Sequence, residues 1–228
     1  AALTAVRMAV ERYNAARRGV PLDEKPFANL AELVADDEKY QASTRRAADA
    51  AHWASRVADL PERSTLSHHG ATAPLNPVNL VASARLGPAD QLRLDEACSR
   101  TGASAAAVLT AAFSAFVSRM TSNDEVVLTL PVTGRASARI RNAGGMLANM
   151  LPVRASGIAD ATVQELIGKV QVELVGALRH QRYRVDDILR DAGLRGSASA
   201  SFGPIVNLMF FDKPIVIDGA TADYNILT

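Results

Sequence analysis

The sequence predicts an α/β fold: a mostly central sheet flanked by helices. Three observations predict it. From residue 77 onward, short β-branched runs alternate with segments of helical period. The run Val126-Val127-Leu128-Thr129-Leu130 is apolar at nearly every position, which suits a strand covered on both faces. Residues of the Ser/Thr capping type stand at the starts of the later helical segments. The order after residue 76 reads β-α-α-β-β-α-α-β with no internal repeat, a pattern that packs helices against a sheet.

The elements follow in chain order. Residues 2–18 read as an amphipathic helix with Val6, Ala9, Val10 and Tyr13 on one side; Gly19 ends it and Pro21 discourages a restart. Residues 20–34 read as an irregular crossing with a short helix near Leu30–Leu33. A second helix is expected over 36–59, anchored by Trp53, the only tryptophan. Residues 61–76 mix Pro, Ser, His and Gly without a period and read as a linker, the best boundary between a segment 1–76 and a segment 77–228. A strand is expected at 77–86 and helices at 89–100 and 104–120. In the latter, Val108, Leu109, Ala112, Phe113, Phe116, Val117 and Met120 recur at helical spacing after the cap Ser104. Asn123-Asp124 is a turn, and strands follow at 125–130 and 146–153. Thr162 and Glu165 form a capping box ahead of Leu166, Ile167, Val170, Leu174, Ala177 and Leu178. A short helix near 185–192 and a strand at 204–211 complete the reading.

Composition excludes several functions. Lys+Arg is 25 and Asp+Glu 24, a net charge of +1 that leaves no footprint for nucleic acid. Cys98 is the only cysteine, so no intrachain disulfide forms, and its helical setting reads as a small buried hydrophobe. No run is long and apolar enough for a membrane span and no signal peptide is visible, so a cytoplasmic setting is expected. The four histidines are His52, His68, His69 and His180; their spacing predicts no metal site. No phosphate-binding loop, dinucleotide fingerprint or nucleophile elbow is present. The chain opens inside a helix-like pattern without an initiator Met, which reads as a fragment or trimmed form of a longer chain.

The most informative stretch is Gly144-Gly145-Met146-Leu147-Ala148-Asn149-Met150-Leu151-Pro152-Val153-Arg154, where a glycine-flexed entry leads into an apolar strand with one amide and a terminal guanidinium. A buried Asn149 must be hydrogen-bonded, either to a neighbouring loop or toward a ligand channel. Arg135 and Arg154 follow apolar strands, where sites are often built; solvent exposure is the plain alternative. His180 ends a long helix, where capping alone accounts for an imidazole. Gln181 and Tyr183 either line a groove or close the helix end.

In order along the chain, these stretches resemble the condensation domain of nonribosomal peptide synthetases. His52-Trp53 before Leu60-Pro61 is similar to the family's Tyr-Trp helix and Leu-Pro turn, with His52 in place of Tyr. Thr129 to Arg135 resembles the strand ending in Gly-Arg. Gly145 to Arg154 resembles Gly-x-Phe-Val-Asn-Thr-x-x-x-Arg, keeping Asn149 and Arg154 while Met150 replaces Thr. His180 to Ile188 resembles His-Gln-Asp-Tyr-Pro-Phe-Glu-x-Ile, with Arg182, Arg184 and Asp186 as departures. Phe202 to Phe211 resembles the late Phe-x-Val-x-Phe strand.

The resemblance implies a two-lobed, chloramphenicol-acetyltransferase-like fold. Residues 1–76 would be the last helices and linker of the N-terminal lobe, whose remainder this chain lacks, and 77–228 the C-terminal lobe. It implies an amide bond made between a carrier-tethered donor thioester and an acceptor aminoacyl group. Phosphopantetheine would arrive on peptidyl carrier protein domains, an adenylation domain would be adjacent, and neither nucleic acid nor membrane would take part. The family's His-His-x-x-x-Asp-Gly motif, whose second histidine is catalytic, is not in this sequence. His68-His69 does not replace it, since Ala73 and Pro74 stand where Asp and Gly would fall. No catalytic residue is therefore assigned, and the chain alone is expected to be inactive. Asn149, Arg135, Arg154, His180 and Gln181 are the candidates for a tunnel wall or lobe interface. Arg17 and Arg18 either meet an acidic carrier or form a solvated face. A non-catalytic docking module, an ester-forming relative and an epimerising relative are the alternatives.

Overall fold

A computed structural model describes residues 2–22, 29–66, 81–135, 140, 147–194, 202–209 and 215–222. The described helices are α1 (Ala2–Arg18), α2 (Leu30–Gln41), α3 (Thr44–Val57), α4 (Pro88–Thr101), α5 (Ala105–Thr121), α6 (Val163–Arg179) and α7 (Val185–Asp191). The strands are β1 (Val126–Val132), β2 (Asn149–Ala155), β3 (Ile215–Ile217) and β4 (Ala220–Ala222). The chain divides into two compact units: 1–46 with 133–148 and 208–228, and 47–132 with 149–207.

In the first unit, α1 ends at Gly19 in a left-handed conformation (φ 64°), as the sequence requires. The single helix expected over 36–59 is two helices. Asn29 caps α2 by accepting the Ala31 amide at 3.0 Å, so that helix starts well before residue 36. Ser43 breaks the run: its Oγ donates to the Tyr40 carbonyl at 2.7 Å and accepts the Arg46 amide at 3.3 Å, ending one helix and starting the next. The β3–β4 hairpin has no counterpart in the sequence reading. It turns through Asp218 (φ 49°) and Gly219 (φ 89°), the Asp-Gly pair that two-residue hairpins favour. Asn14 of α1 holds it, donating to the Val216 carbonyl and accepting the Asp218 amide, each at 2.8 Å.

The second unit contains the main core. β1 and β2 pair antiparallel from Val126↔Ala155 to Val132↔Asn149, and β1 is buried at every position but one. The expectation of a doubly covered strand therefore holds. β2 starts later than residue 146: Leu147 and Ala148 precede the ladder, Met146 lies outside the described residues, and pairing begins where Asn149 faces Val132. Segment 204–209 is not a full strand. It joins β1 through one parallel bridge, Thr129↔Ile205, with the Thr129 amide donating to the Pro204 carbonyl and the Val206 amide to the Thr129 carbonyl. Thr129 Oγ1 also accepts the Phe202 and Gly203 amides at 2.8 and 3.2 Å. A Cβ at Gly203 would sit 2.0 Å from the Val127 carbonyl oxygen, so this approach requires glycine.

Three further expectations change. Residues 81–86 carry no strand: they are exposed and pair with nothing among the described residues, leaving Val81 71% accessible. Cys98 is half-buried on α4, a helix with no fully buried residue. On α6 the capping box forms as read, with the Thr162 amide donating to Glu165 Oε2 at 2.9 Å and the Glu165 amide to Thr162 Oγ1 at 3.3 Å. Leu166, Ile167, Val170, Leu174 and Ala177 are buried there, but Leu178 lies off that stripe and is exposed. Residues 67–80, with His68, His69 and the expected boundary, lie outside the described residues, as do Gly144 and Gly145.

Candidate functional site

Asn149 opens β2 and is buried. Its Nδ2 donates to the Gln181 and Tyr183 carbonyls at 3.0 and 2.7 Å, and its Oδ1 accepts the Val185 amide at 2.9 Å. Both amide hydrogens and the oxygen are thus engaged. The side chain closes the connection from α6 to α7 as a clasp. Only an amide can donate to two carbonyls and accept from an N–H at once. Gln181 completes the turn by donating from Nε2 to the Leu178 carbonyl at 2.8 Å. The buried Tyr183 donates its hydroxyl to Asp191 of α7.

His180 is the C-cap of α6, its amide bonded to the Gly176 carbonyl. Capping is only part of its setting. Its Nδ1 lies 2.7 Å from Oδ1 of Asp49, a carboxylate 1% exposed on α3. Its carbonyl accepts Nε1–H of Trp53 at 3.0 Å, and its ring stacks on His52 with centroids 3.9 Å apart. Trp53 is buried, so the expected anchor holds and its partner is now identified. His52 is held well down, to about 4, first by burial and then by the neighbouring charges of His180 and Arg56.

Arg154 sits near the far end of β2. Its guanidinium forks onto Asp59 through Nη1 at 2.6 Å and Nη2 at 3.3 Å, and its Nε donates to Glu125. These bonds hold the Asp59 carboxyl below its ordinary range. Between α3, β2 and α6 lies a cavity of about 10 Å³, lined by His52, Arg56, Arg154 and Glu173 among others, with room for about one water. Arg56 pairs with Glu173 at 3.0 Å, and burial raises the Glu173 carboxyl.

The structure therefore brings Asn149, Gln181 and His180 together at the C-terminal end of α6, with Arg154 further along the same strand as Asn149. Arg135 belongs to the other unit. It follows Gly134, whose left-handed backbone (φ 66°) lies so close to Leu147 that a Cβ would be 2.0 Å from its carbonyl oxygen. Arg135 Nη1 donates to the Ile140 carbonyl at 3.0 Å. Arg17 of α1 pairs with Asp218 at 3.2 Å. Sequence reasoning passed over Asp49, Asp59 and Glu125. Asp49 was visible as a lone acid in Ala47-Ala48-Asp49-Ala50-Ala51, but its partner is far along the chain. No cluster of metal-ligating side chains forms among the described residues.

Residues 6–219 match the family model of the condensation domain. The chain belongs to the condensation-domain family. It is 32% identical over 201 residues to a dimodular nonribosomal peptide synthase of Bacillus subtilis (strain 168), covering 88% of this chain and 8% of that protein. It is also 32% identical over 213 residues to an isonitrile lipopeptide synthase of Streptomyces coeruleorubidus, covering 93% of this chain and 14% of the relative. Among solved structures, the first condensation domain of the CDA synthetase superposes with a TM-score of 0.82 at 33% identity, over 93% of this chain and 46% of that one. The starter condensation domain of rhizomide synthetase, a doubly substituted variant in complex with C8-CoA and Leu-SNAC, gives 0.78 at 27% identity, over 95% and 48%. The condensation-domain chain thus has the fold of these domains, which is chloramphenicol-acetyltransferase-like, and spans less than half of each solved chain. It spans a small fraction of the multidomain synthetases it matches. Among the described residues no single helix is long and apolar enough to cross a membrane.

Proposed function

We propose that this chain is part of a condensation domain that joins two carrier-tethered substrates through an amide bond. The observation that carries the reading is the family match over residues 6–219, with 33% identity to a solved condensation domain across 93% of the chain. In the proposed reaction the acceptor amine attacks the donor thioester carbonyl. The C–N bond forms, the C–S bond breaks, and the thiol stays on the donor's phosphopantetheine arm while the amine loses a proton. A thioester is already activated, so positioning two tethered reactants supplies much of the rate gain. Managing the amine proton and the charge on the carbonyl oxygen supplies the rest.

Within this proposal the chain supplies scaffold and wall, and the general base comes from a His-His-x-x-x-Asp-Gly segment outside it. Segment 1–76 is assigned to the end of the N-terminal lobe and 77–228 to the C-terminal lobe. Asn149 keeps the α6–α7 connection in one shape through its three hydrogen bonds, with Gln181 and His180 ordering the same turn. Arg154 fixes its strand to Asp59 and Glu125, and Arg135 fixes the exit from β1. Peptidyl carrier protein domains are the partners that bring phosphopantetheine, an adenylation domain is the neighbour that loads them, and the reaction takes place in the cytosol.

The test is a condensation assay with donor and acceptor loaded on carrier proteins, read by mass spectrometry of the acceptor-bound product. The parent synthetase is expected to form the amide, and the 228-residue chain alone to form none. Asn149→Ala in the parent is expected to lower turnover while leaving carrier loading intact. An ester product, or no condensation by the parent with both carriers loaded, refutes the amide-forming reading.

A further inference from the structure

Asp49, His52, Trp53 and Arg56 recur at helical spacing and place four functional side chains along one stripe of α3. The stripe meets the C-terminal turn of α6. There the His52 and His180 rings lie nearly parallel, at 13° and 3.9 Å, and His52 Cε1 lies beside Gly176, where an added Cβ would meet it at an ordinary contact distance of 3.7 Å. Asp49 holds His180 from the side at 2.7 Å, and since a carboxylate only accepts, the proton of that bond is on Nδ1. Trp53 meets the edge of His52 at 5.0 Å and 78°, while its Nε1–H holds the His180 carbonyl. Two flat imidazoles can stack when at least one is neutral; two cations at this distance repel.

We propose that the stacked pair His52–His180 is an acid-sensitive latch between α3 and α6, closed while His52 is neutral and released when His52 takes a proton. The charged groups around His52 come from three elements: Asp49 and Arg56 on α3, Glu173 and His180 on α6, and Arg154 on β2 across the small cavity. The guanidinium groups of Arg56 and Arg154 keep their positive charge throughout this range, whereas the Glu173 carboxyl, raised by burial, loses its negative charge as the pH falls. Asp49 alone among the causes of the His52 shift favours the proton; burial, His180 and Arg56 oppose it and bring the imidazole down to about 4.

The sign follows from linkage. His52 is a base whose folded-state affinity for protons lies below its ordinary value of 6.5. As pH falls from about 6.5 toward about 4, the unfolded chain takes up a proton at this residue that the folded chain refuses, so the contribution of His52 to stability declines across that window and levels off below it. Release of the latch frees the turn that presents the Gln181 and Tyr183 carbonyls to Asn149. Acidification therefore weakens the clasp from a distance. The Tyr-Trp pair that the resemblance would place here reads His52-Trp53, and a tyrosine would stack without titrating in this range.

Trp53, as the only tryptophan of the chain, reports on the latch directly. An imidazolium at the indole edge quenches its emission more than a neutral imidazole does. In the full chain, emission is expected to fall on acidification with a midpoint near 4, ahead of any loss of far-ultraviolet helical signal. His52→Tyr is expected to remove that step and to lose less melting temperature than the wild type between about pH 7 and about pH 5. If the variant does not fold, the imidazole Cε1–H resonances of the wild type decide. One of the four histidines should stay unprotonated throughout that range. A quench that survives in His52→Tyr, wild-type emission flat down to about pH 4, or four histidines that all titrate near their ordinary value would overturn the latch.

Discussion

Helices α5 and α6 have the same length, 17 residues, lie in the same unit, and are both capped by a hydroxyl, yet they bury opposite kinds of residue. α6 buries the large aliphatic side chains of Leu166, Ile167, Val170 and Leu174. α5 buries Ala107, Thr110, Ala111, Ser114, Val117 and Ser118, and leaves Phe116 and Met120 49% and 62% accessible. The apolar period of α5 marked Val108, Leu109, Ala112, Phe113, Phe116, Val117 and Met120 as its inner face; of these only Val117 is fully buried. The reason is steric. Where a helix packs closely on a neighbouring helix and strand, its contact face must be small, and the bulky residues go elsewhere. Periodicity locates the core only when the element that receives the helix has room for large side chains.

The buried small face carries three hydroxyls, of which Thr110 Oγ1 has no hydrogen-bond partner among the described residues and the two serines do. Ser114 Oγ donates back to the Thr110 carbonyl at 2.9 Å and Ser118 Oγ to the Asn123 carbonyl at 2.6 Å, so both hydroxyls are satisfied within or just beyond the helix. They fill volume like alanine while meeting their hydrogen-bond needs.

Three substitutions test the contrast, in falling order of effect. Leu174→Ala on α6 removes a buried aliphatic side chain from the core and is expected to cost about 2–5 kcal/mol, read as a lower denaturant midpoint with an unchanged slope. Ala111→Leu on α5 adds volume at a residue that is only 2% exposed and is expected to cost about 1–3 kcal/mol. A neutral result there would mean that the α5 seam has slack, and the steric explanation would fail. Phe116→Ala, although it deletes a far larger side chain, is expected to change stability by no more than about 0.5 kcal/mol. If Phe116→Ala instead cost as much as Leu174→Ala, the two helices would be using the same kind of face.

What could be read along the chain was local in origin. The cap at Ser104, the Thr162–Glu165 box, the stop at Gly19 and the doubly covered strand over Val126–Leu130 each depend on a few neighbouring residues. The Asp218-Gly219 turn between Ile215-Val216-Ile217 and Ala220-Thr221-Ala222 is equally local, but strands of three residues are too short to show a period. The ordered motifs around His52-Trp53, Asn149, Arg154 and His180 were enough to indicate the family, because their order survives even where single residues differ.

The tertiary structure decided how those motifs meet. Asn149 could be read as a buried amide in need of partners, but the three backbone groups it clasps lie 32 to 36 residues away. Asp49 reaches His180 across 131 residues, and Arg154 reaches Asp59 across 95. The same limit governs α5, where the buried face was chosen by what lies opposite. Caps and turns are settled by backbone geometry within a few bonds, so the sequence determines them. Which face is buried, which charge finds a partner and which imidazole stays neutral depend on surfaces brought together only by folding.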